Sequence, residues 1–242
     1  MLGDTRSVVD AGLRGGLVVV PSAPVLVALE SNPALREALS DADLAITDSG
    51  LMVLLWRVLQ RERIIRVSGL EYLRLLLADP GFKIPGTILW VMPNERARDR
   101  LLVWLRSVGI PISLEDCYLA PQFPDGKLTD QILLALLQRQ RPAHVIIGLG
   151  GGVQERLGYS LKQALHSRPG IHCIGGAIGF LTGDQVRIPR WADYLYLGWF
   201  FRCLSNPSRF VPRYWRAWRL VGLMRRYRDK LPPLVGPAQA ES

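Results

Sequence analysis

The chain has 242 residues, of which 49% are apolar and 21% are charged, a composition that can bury a core and is not that of a disordered chain. Its three cysteines and three histidines are scattered, with no CxxC, HExxH or mixed cluster, so we expect neither a disulfide framework nor a metal site. The formal net charge is +9, and no run of about 18 uncharged apolar residues occurs, so a membrane-spanning helix is not expected.

Short apolar runs alternate with helical patterns through the first two thirds of the chain. The runs that predict strands are residues 17–20, 44–47, 87–92, 144–149 and 171–174. The patterns that predict helices start at Pro33 after Asn32, cover 51–60, 71–78 after Ser68, 94–108 and 128–139, and start again near Val153. This alternation predicts an α/β, Rossmann-like fold, in which a mostly parallel sheet carries helices on both faces.

Three of the predicted strands end on residues that suit ligand binding. Asp48 follows the second strand, a glycine run occupies 148–152, and Gly175-Gly176 follow the last strand. In parallel sheets, ligands bind beyond the carboxyl ends of the strands. We therefore expect the functional site at this edge of the sheet.

The glycine run leads from a predicted strand into a predicted helix. The backbone N–H groups of Gly150 and Gly151 could approach a phosphate at the positive end of that helix. The run is not a dinucleotide-binding fingerprint, because Val153 stands where GxGxxG requires glycine, and no Walker lysine follows. A tight turn between strand and helix is an equally good interpretation.

Four polar residues near these strand ends are candidates for chemistry. Asp48 ends a buried strand, where a carboxylate is costly unless it is hydrogen-bonded or functional, and it could deprotonate an acceptor hydroxyl. Its alternative role is to cap the helix that starts near Gly50. Gln154 and Glu155 either hold a sugar or ribose hydroxyl or cap their own helix. Arg66 either binds an anion or lies on the surface.

The excess positive charge is confined to the C-terminal part of the chain. Residues 187–230 contain eleven basic side chains against Asp193 and Asp229, and 26 of the 30 basic residues in the chain are arginine. Arginine binds phosphate in a bidentate manner that lysine cannot reproduce. The interleaved aromatic residues suit a membrane interface or single-stranded nucleic acid, and a solvated basic helix is the third interpretation.

Four segments match the motifs of one protein family in order. They are LVVVPSAPVLVALESNPALREALSDADLAITDSG (17–50), RVSGLEYLRLLL (66–77), GLGGGVQE (148–155) and GGAIGFLTGDQVRIPRWADYLYLGWFFRCLSNPSRFVPRY (175–214). Together they resemble the WecG/TagA/CpsF family of glycosyltransferases over residues 17–220. The last segment is the most specific, because its spacing of Gly, Pro, Trp and Arg is unbroken over forty residues.

The resemblance implies an inverting, metal-independent enzyme without a cofactor. Such an enzyme transfers N-acetylmannosamine or its uronic acid from a UDP-sugar to a polyprenyl-diphosphate-linked acceptor, for bacterial wall or surface polysaccharide. It implies a peripheral protein on the cytoplasmic face of the membrane, and residues 1–16 contain no apolar core of a signal peptide. No nucleic acid partner is expected, and self-association is left open.

We divide the chain into three parts on this basis. The α/β nucleotide-sugar-binding core covers 1–186, a basic aromatic membrane-proximal appendage covers 187–231, and a disordered tail is expected at 232–242. By position, Asp48 is the expected catalytic base. The residues expected to bind substrate are Ser22, Arg66, Gly150, Gly151, Gln154, Glu155, Arg187, Arg202, Arg209, Arg213 and Arg216. The arginines of the appendage are expected to contact the diphosphate.

The chain departs from the family motifs at particular positions. Ser22 replaces the asparagine of the first turn, Gly179 replaces an aspartate, and Gly198 replaces a glutamate. These changes support an alternative function, a catalytically inactive scaffold or binding protein of the same fold in a polysaccharide assembly.

Overall fold

The computed structural model describes residues 5–126, 128–183 and 218–234, together with residues 203, 204, 207, 208, 212 and 215. The strands among them are β1 (Gly16–Val19), β2 (Leu44–Ala45), β3 (Ile88–Met92), β4 (Cys117–Leu119), β5 (His144–Ile147) and β6 (Gly170–Cys173). The helices are α1 (Thr5–Leu13), α2 (Ala23–Val27), α3 (Pro33–Ser40), α4 (Gly50–Gln60), α5 (Gly69–Ala78), α6 (Glu95–Ser107), α7 (Gln131–Gln140), α8 (Val153–Ala164), α9 (Gly175–Leu181) and α10 (Arg219–Tyr227). Short 3-10 turns lie at Ala28–Glu30 and Pro80–Lys83.

The described strands form one parallel sheet in the order β2-β1-β6-β5-β3-β4. Strands β1, β3, β5 and β6 are buried along their whole length, as expected for a parallel sheet that is covered on both faces. The predicted α/β, Rossmann-like fold is therefore confirmed. Strand β4 was not predicted, because an edge strand of three half-buried residues leaves no continuous apolar run in the sequence.

Several helices start where local capping chemistry predicts. The side chain of Asn32 accepts a hydrogen bond from the Leu35 N–H at 2.9 Å, and Pro33 occupies the first helical position. Asn94 accepts one from the Ala97 N–H, also at 2.9 Å. These polar caps satisfy backbone donors that the first helical turn leaves unpaired.

The helices divide between the two faces of the sheet. Helices α3, α7 and α8 pack on one face, with Leu137 and Leu157 in its core, whereas α1, α5, α6 and α9 pack on the other, with Leu73 and Leu105 in its core. The helices that follow neighbouring strands thus lie on opposite faces. In folds of this type, ligands bind beyond the carboxyl ends of the strands.

Helix α10 packs beside this edge of the sheet. Its Leu220 and Met224 are buried against α2 and α4, in a cluster that includes Ala23 and Met52. The Gln60 side chain donates a hydrogen bond to the Met224 carbonyl at 2.8 Å. The end of the basic segment therefore lies against the two helices whose first residues follow β1 and β2. Among the residues that the structure describes, no helix is long and apolar enough to span a membrane.

Candidate active site

Asp48 lies just beyond β2 with 36% of its side chain exposed. Its Oδ1 accepts a hydrogen bond from the Gly69 N–H at 2.9 Å, at the first residue of α5. The interpretation that Asp48 caps the helix starting near Gly50 is wrong, because Ser49 caps α4 through the Met52 N–H at 3.3 Å. Asp48 instead binds the N-terminus of a helix that starts 21 residues later.

Ser68 occupies the N-cap position of α5 but makes no side-chain capping bond there. The distant carboxylate of Asp48 supplies the bond that a local cap would supply. The carboxylate is oriented from a second direction as well, since a guanidinium nitrogen of Arg66 lies 3.9 Å from Oδ1. Within the described parts of the chain no hydrogen bond to Oδ2 is found, so this oxygen can accept a proton from a ligand.

Arg66 is held close to Asp48 through the backbone. Its Nε donates a hydrogen bond to the Asp48 carbonyl at 2.9 Å. The segment that carries it is tied to the end of β2, because Thr47 donates to the Ile65 carbonyl at 2.7 Å and accepts from the Val67 N–H at 3.3 Å through its own carbonyl. The structure therefore brings together the predicted base and the predicted anion-binding arginine, which are 18 residues apart.

The glycine run after β5 approaches the loop after β1. A Cβ atom at Gly151 would lie 2.7 Å from a methyl carbon of Val25 and 3.8 Å from the Ser22 hydroxyl, so glycine is required for this contact. Gly152 has a φ of 91°, a conformation that glycine adopts readily. A Cβ at Gly150 would meet nothing within 4 Å, so this residue borders open space. Ser22 and Gly151 thus lie side by side at the carboxyl edge.

Gln154 and Glu155 are 4% and 0% exposed, and their polar atoms bind other parts of the protein. Glu155 accepts a hydrogen bond from the Gly152 N–H at 2.6 Å and one from the Gln154 amide at 3.1 Å. The Gln154 amide also donates to the Cys173 carbonyl at 3.2 Å, and its oxygen accepts from the Gly175 N–H at 2.9 Å. The two side chains therefore join the loop after β5 to the loop after β6.

A family model described as "Glycosyl transferase WecG/TagA/CpsF family" matches residues 2–232 of the 242-residue chain. The chain belongs to the WecG/TagA/CpsF glycosyltransferase family. Proteins of this family are glycosyltransferases of cell-surface polysaccharide synthesis, so the family implies a sugar donor and an acceptor as substrates.

Arg156, in the first turn of α8 directly after the glycine loop, was not predicted from the sequence to be part of the site. Arg156 is 4% exposed, and its guanidinium donates to the carbonyls of Gly152, Pro124 and Gly126 at 2.9, 3.1 and 2.5 Å. These three hydrogen bonds join the start of α8 to the loop that contains Pro124 and Gly126, so the buried guanidinium fixes the position of that loop. Its signal in the sequence is weak, because an arginine in the first turn of a helix is ordinarily solvated.

Burial changes the pKa values of two groups beneath the glycine loop. Burial raises the pKa of the Glu155 carboxyl, although the bonds from Gln154 and Gly152 act in the opposite direction. Burial also raises the pKa of the Cys173 thiol, which donates to the Gln154 carbonyl at 3.1 Å. No group of three His, Cys, Asp or Glu side chains that could hold a metal ion is found in the described part of the chain.

The remaining predicted residues lie outside the described residues. They are Arg187, Arg202, Arg209, Arg213 and Arg216 of the appendage, and Gly198 lies there too. Their roles stay predictions. Gly179, where the family motif has aspartate, is a half-buried residue of α9.

Proposed function

We propose that the chain transfers an N-acetylhexosamine of the N-acetylmannosamine type from a UDP-sugar to a polyprenyl-diphosphate-linked acceptor in bacterial surface polysaccharide synthesis. The observation that carries this proposal is Asp48, whose Oδ1 accepts a hydrogen bond from the Gly69 N–H, whereas no hydrogen bond to Oδ2 is found among the described residues. A carboxylate oriented in this way at the carboxyl end of a strand suits the base of a transfer reaction.

The proposed reaction is a single displacement. Asp48 accepts the proton of the acceptor hydroxyl, and that oxygen forms a bond to the anomeric carbon of the donor sugar. The bond between the anomeric carbon and the diphosphate oxygen breaks, UDP departs, and the anomeric configuration inverts. The appendage residues Arg202, Arg209 and Arg213 are proposed to neutralise the charge that develops on the departing diphosphate, in the place of a metal ion.

We also propose that the protein works on the cytoplasmic face of a membrane as a peripheral protein. Trp215 and Trp218 are 75% and 64% exposed, and Arg219, Arg225 and Arg226 are exposed on the adjoining helix α10. Exposed tryptophan beside arginine suits the interface between lipid headgroups and acyl chains, where the ring is inserted and the cation meets anionic lipid.

The test compares Asp48→Asn with the wild type in an assay of UDP release, using UDP-N-acetylmannosamine and a prenyl-diphosphate-linked sugar. We expect turnover to fall by about 100-fold to 10,000-fold, because the amide cannot accept the proton. The free energy of unfolding should change by less than about 1 kcal/mol, since the amide oxygen can still accept from the Gly69 N–H. Asp99→Asn, an exposed carboxylate on α6, is the matched control and should keep full turnover.

Unchanged turnover in Asp48→Asn would remove this residue from the mechanism. The anomeric configuration of the product, read by NMR, tests the inversion, and turnover in the presence of a chelator tests the independence from metal. The replacement of the family aspartate by Gly179 favours a second candidate, an inactive scaffold of the same fold. That candidate predicts binding to anionic vesicles with no affinity for UDP-sugars by calorimetry.

A further inference from the structure

A groove lies between α4 and the segment that follows it. Arg61, just after α4, has a φ of 58°, a left-handed conformation that ends the helix and turns the chain back. The returning segment encloses a cavity of about 390 Å³ with α4. We call this cavity the α4 groove; it is lined by Val53, Leu54, Ile64 and Ile65, and by the three arginines Arg57, Arg63 and Arg66.

The α4 groove combines apolar walls with exposed positive charge. Arg57 and Arg63 are exposed, and no ion pair to either is found among the residues that the structure describes. The acidic residue of this segment, Glu62, accepts a hydrogen bond from the Trp56 ring N–H at 3.4 Å instead. Guanidinium groups around one cavity repel each other, so an anion that bridges them is bound favourably.

The apolar side of the α4 groove continues to the protein surface. Ile65 is 51% exposed, and Val58, on the exposed side of α4, is 75% exposed. Exposed branched aliphatic side chains beside a cavity of this size fit an apolar chain better than a nucleotide, whose base and ribose require polar partners.

The α4 groove also adjoins the candidate active site. Arg66 lines the groove, and its Nε donates to the Asp48 carbonyl at 2.9 Å. An acceptor that presents its sugar hydroxyl to Asp48 carries its diphosphate one sugar ring away and its lipid chain beyond that. The α4 groove therefore offers, beside Asp48, both the cationic and the apolar side chains that such an acceptor requires.

We propose that the α4 groove binds the prenyl diphosphate of the acceptor, an inference that rests on the proposed function. Arg57 and Arg63 bind the diphosphate oxygens, while Leu54, Ile64 and Ile65 contact the first isoprene units. The groove thereby holds the acceptor separately from the appendage arginines, which are assigned to the UDP that leaves the donor.

The test is a calorimetric titration of the full chain with farnesyl diphosphate, inorganic pyrophosphate and UDP. We expect Arg57→Ala/Arg63→Ala to weaken farnesyl diphosphate binding at least tenfold and to change UDP binding less than twofold. Arg96→Ala/Arg139→Ala removes two exposed arginines of α6 and α7 and has the same net charge, so it controls for long-range attraction. This control should leave all three affinities unchanged.

The apolar part of the α4 groove is tested separately with Ile65→Ser. This half-exposed residue can be changed without loss of the fold, which circular dichroism checks. Farnesyl diphosphate should bind about threefold more weakly to this variant, whereas pyrophosphate should bind as it does to the wild type.

Three results would overturn the proposal. Loss of UDP binding with farnesyl diphosphate binding intact would assign the α4 groove to the donor. Equal losses in Arg57→Ala/Arg63→Ala and in Arg96→Ala/Arg139→Ala would show only the effect of net charge. Equal affinity of the wild type for pyrophosphate and farnesyl diphosphate would exclude a prenyl subsite. These binding measurements need no turnover. Their outcome can therefore be interpreted even if the protein proves inactive, or if Asp48→Asn stays active and the proposed mechanism fails.

Discussion

Two groups of polar residues lie at the same edge of the sheet and differ in what their side chains can still bind. Asp48 and Arg66 are partly exposed, and Asp48 keeps one carboxylate oxygen for a ligand. Gln154, Glu155 and Arg156 are almost fully buried, and their hydrogen bonds run to the protein's own loops. Polar residues after a strand thus stay accessible to a ligand in one loop and bind other loops of the protein in the other. Burial decides between the two roles.

The largest loss of stability should come from removing the buried carboxylate of Glu155. Glu155→Ala leaves the Gly152 N–H and one Gln154 N–H without their acceptor and opens a cavity, so we expect a loss of about 3 kcal/mol in the free energy of unfolding. Glu71→Ala removes an exposed carboxylate 3.9 Å from Arg74 and should cost less than about 1 kcal/mol. Urea denaturation measures both. Equal costs would contradict the contrast drawn between the two groups.

A smaller loss of stability is expected from a substitution at Gly175, whose N–H donates to the side-chain oxygen of the buried Gln154. A Cβ atom at Gly175 would lie 2.0 Å from the Leu149 carbonyl oxygen and 2.8 Å from the Gln154 side-chain oxygen. Gly175→Ala should therefore break the bond to Gln154 and cost about 2 kcal/mol. Gly150→Ala, in the same loop system but with nothing within 4 Å, should change the stability by less than about 0.5 kcal/mol. Similar thermal midpoints for the two variants would refute the close contact.

A third polar group is buried between α5 and the sheet and sharpens the comparison. The Tyr72 hydroxyl lies 2.8 Å from Nδ1 of His172, and Nε2 of His172 lies 3.2 Å from Nδ1 of His144. Complete burial lowers the pKa of His172 to about 3, and the neighbouring His144 acts in the same direction. Burial also lowers the pKa of His144, against the effect of Asp79, and raises that of the Tyr72 hydroxyl.

This cluster predicts a loss of stability in acid. His172 stays neutral in the folded protein, whereas in the unfolded chain it gains a proton below its ordinary pKa of about 6.5, so stability declines as the pH falls from there towards 3. At pH 5.5 the loss from His172 alone is about 1.4 kcal/mol.

Chemical denaturation at pH 7.5 and 5.5 measures this loss, with His172→Gln as the comparison. The variant should be less stable at pH 7.5 but lose less stability between the two pH values. Glu155 contributes in the opposite direction, because its raised pKa favours the folded state in acid. This contribution is the same in both proteins, so it cancels when their losses of stability between the two pH values are compared. Parallel pH profiles would contradict the buried, neutral state of His172.

Part of this structure was predictable because its causes are local. The apolar runs of β3 and β5 read directly as buried strands, and Asn32 and Asn94 start helices through bonds to residues three positions ahead. The position of Asp48 at a strand end was predictable for the same reason. Its partner was not, since the Gly69 N–H belongs to a helix that starts 21 residues later.

The bonds of Arg156 and the existence of the α4 groove were likewise not predictable from the sequence. The carbonyls that bind Arg156 lie 30 or more residues earlier in the chain, except for that of Gly152. The arginines of the α4 groove are close in the sequence, but they meet at one cavity because Arg61 reverses the chain. Neither the long-range bonds of Arg156 nor such a chain reversal leaves a periodic signal in the sequence.

The amino-acid sequence by itself determined the fold class, the family motifs and the strand ends at which polar residues occur. It could do so because apolar periodicity, caps and glycine runs act over a few neighbouring residues. Only the tertiary structure decided which of those polar residues stay accessible to a ligand and which form hydrogen bonds to other loops of the protein. That division depends on burial and on bonds between remote segments, which exist only once the sheet has brought those segments to one edge.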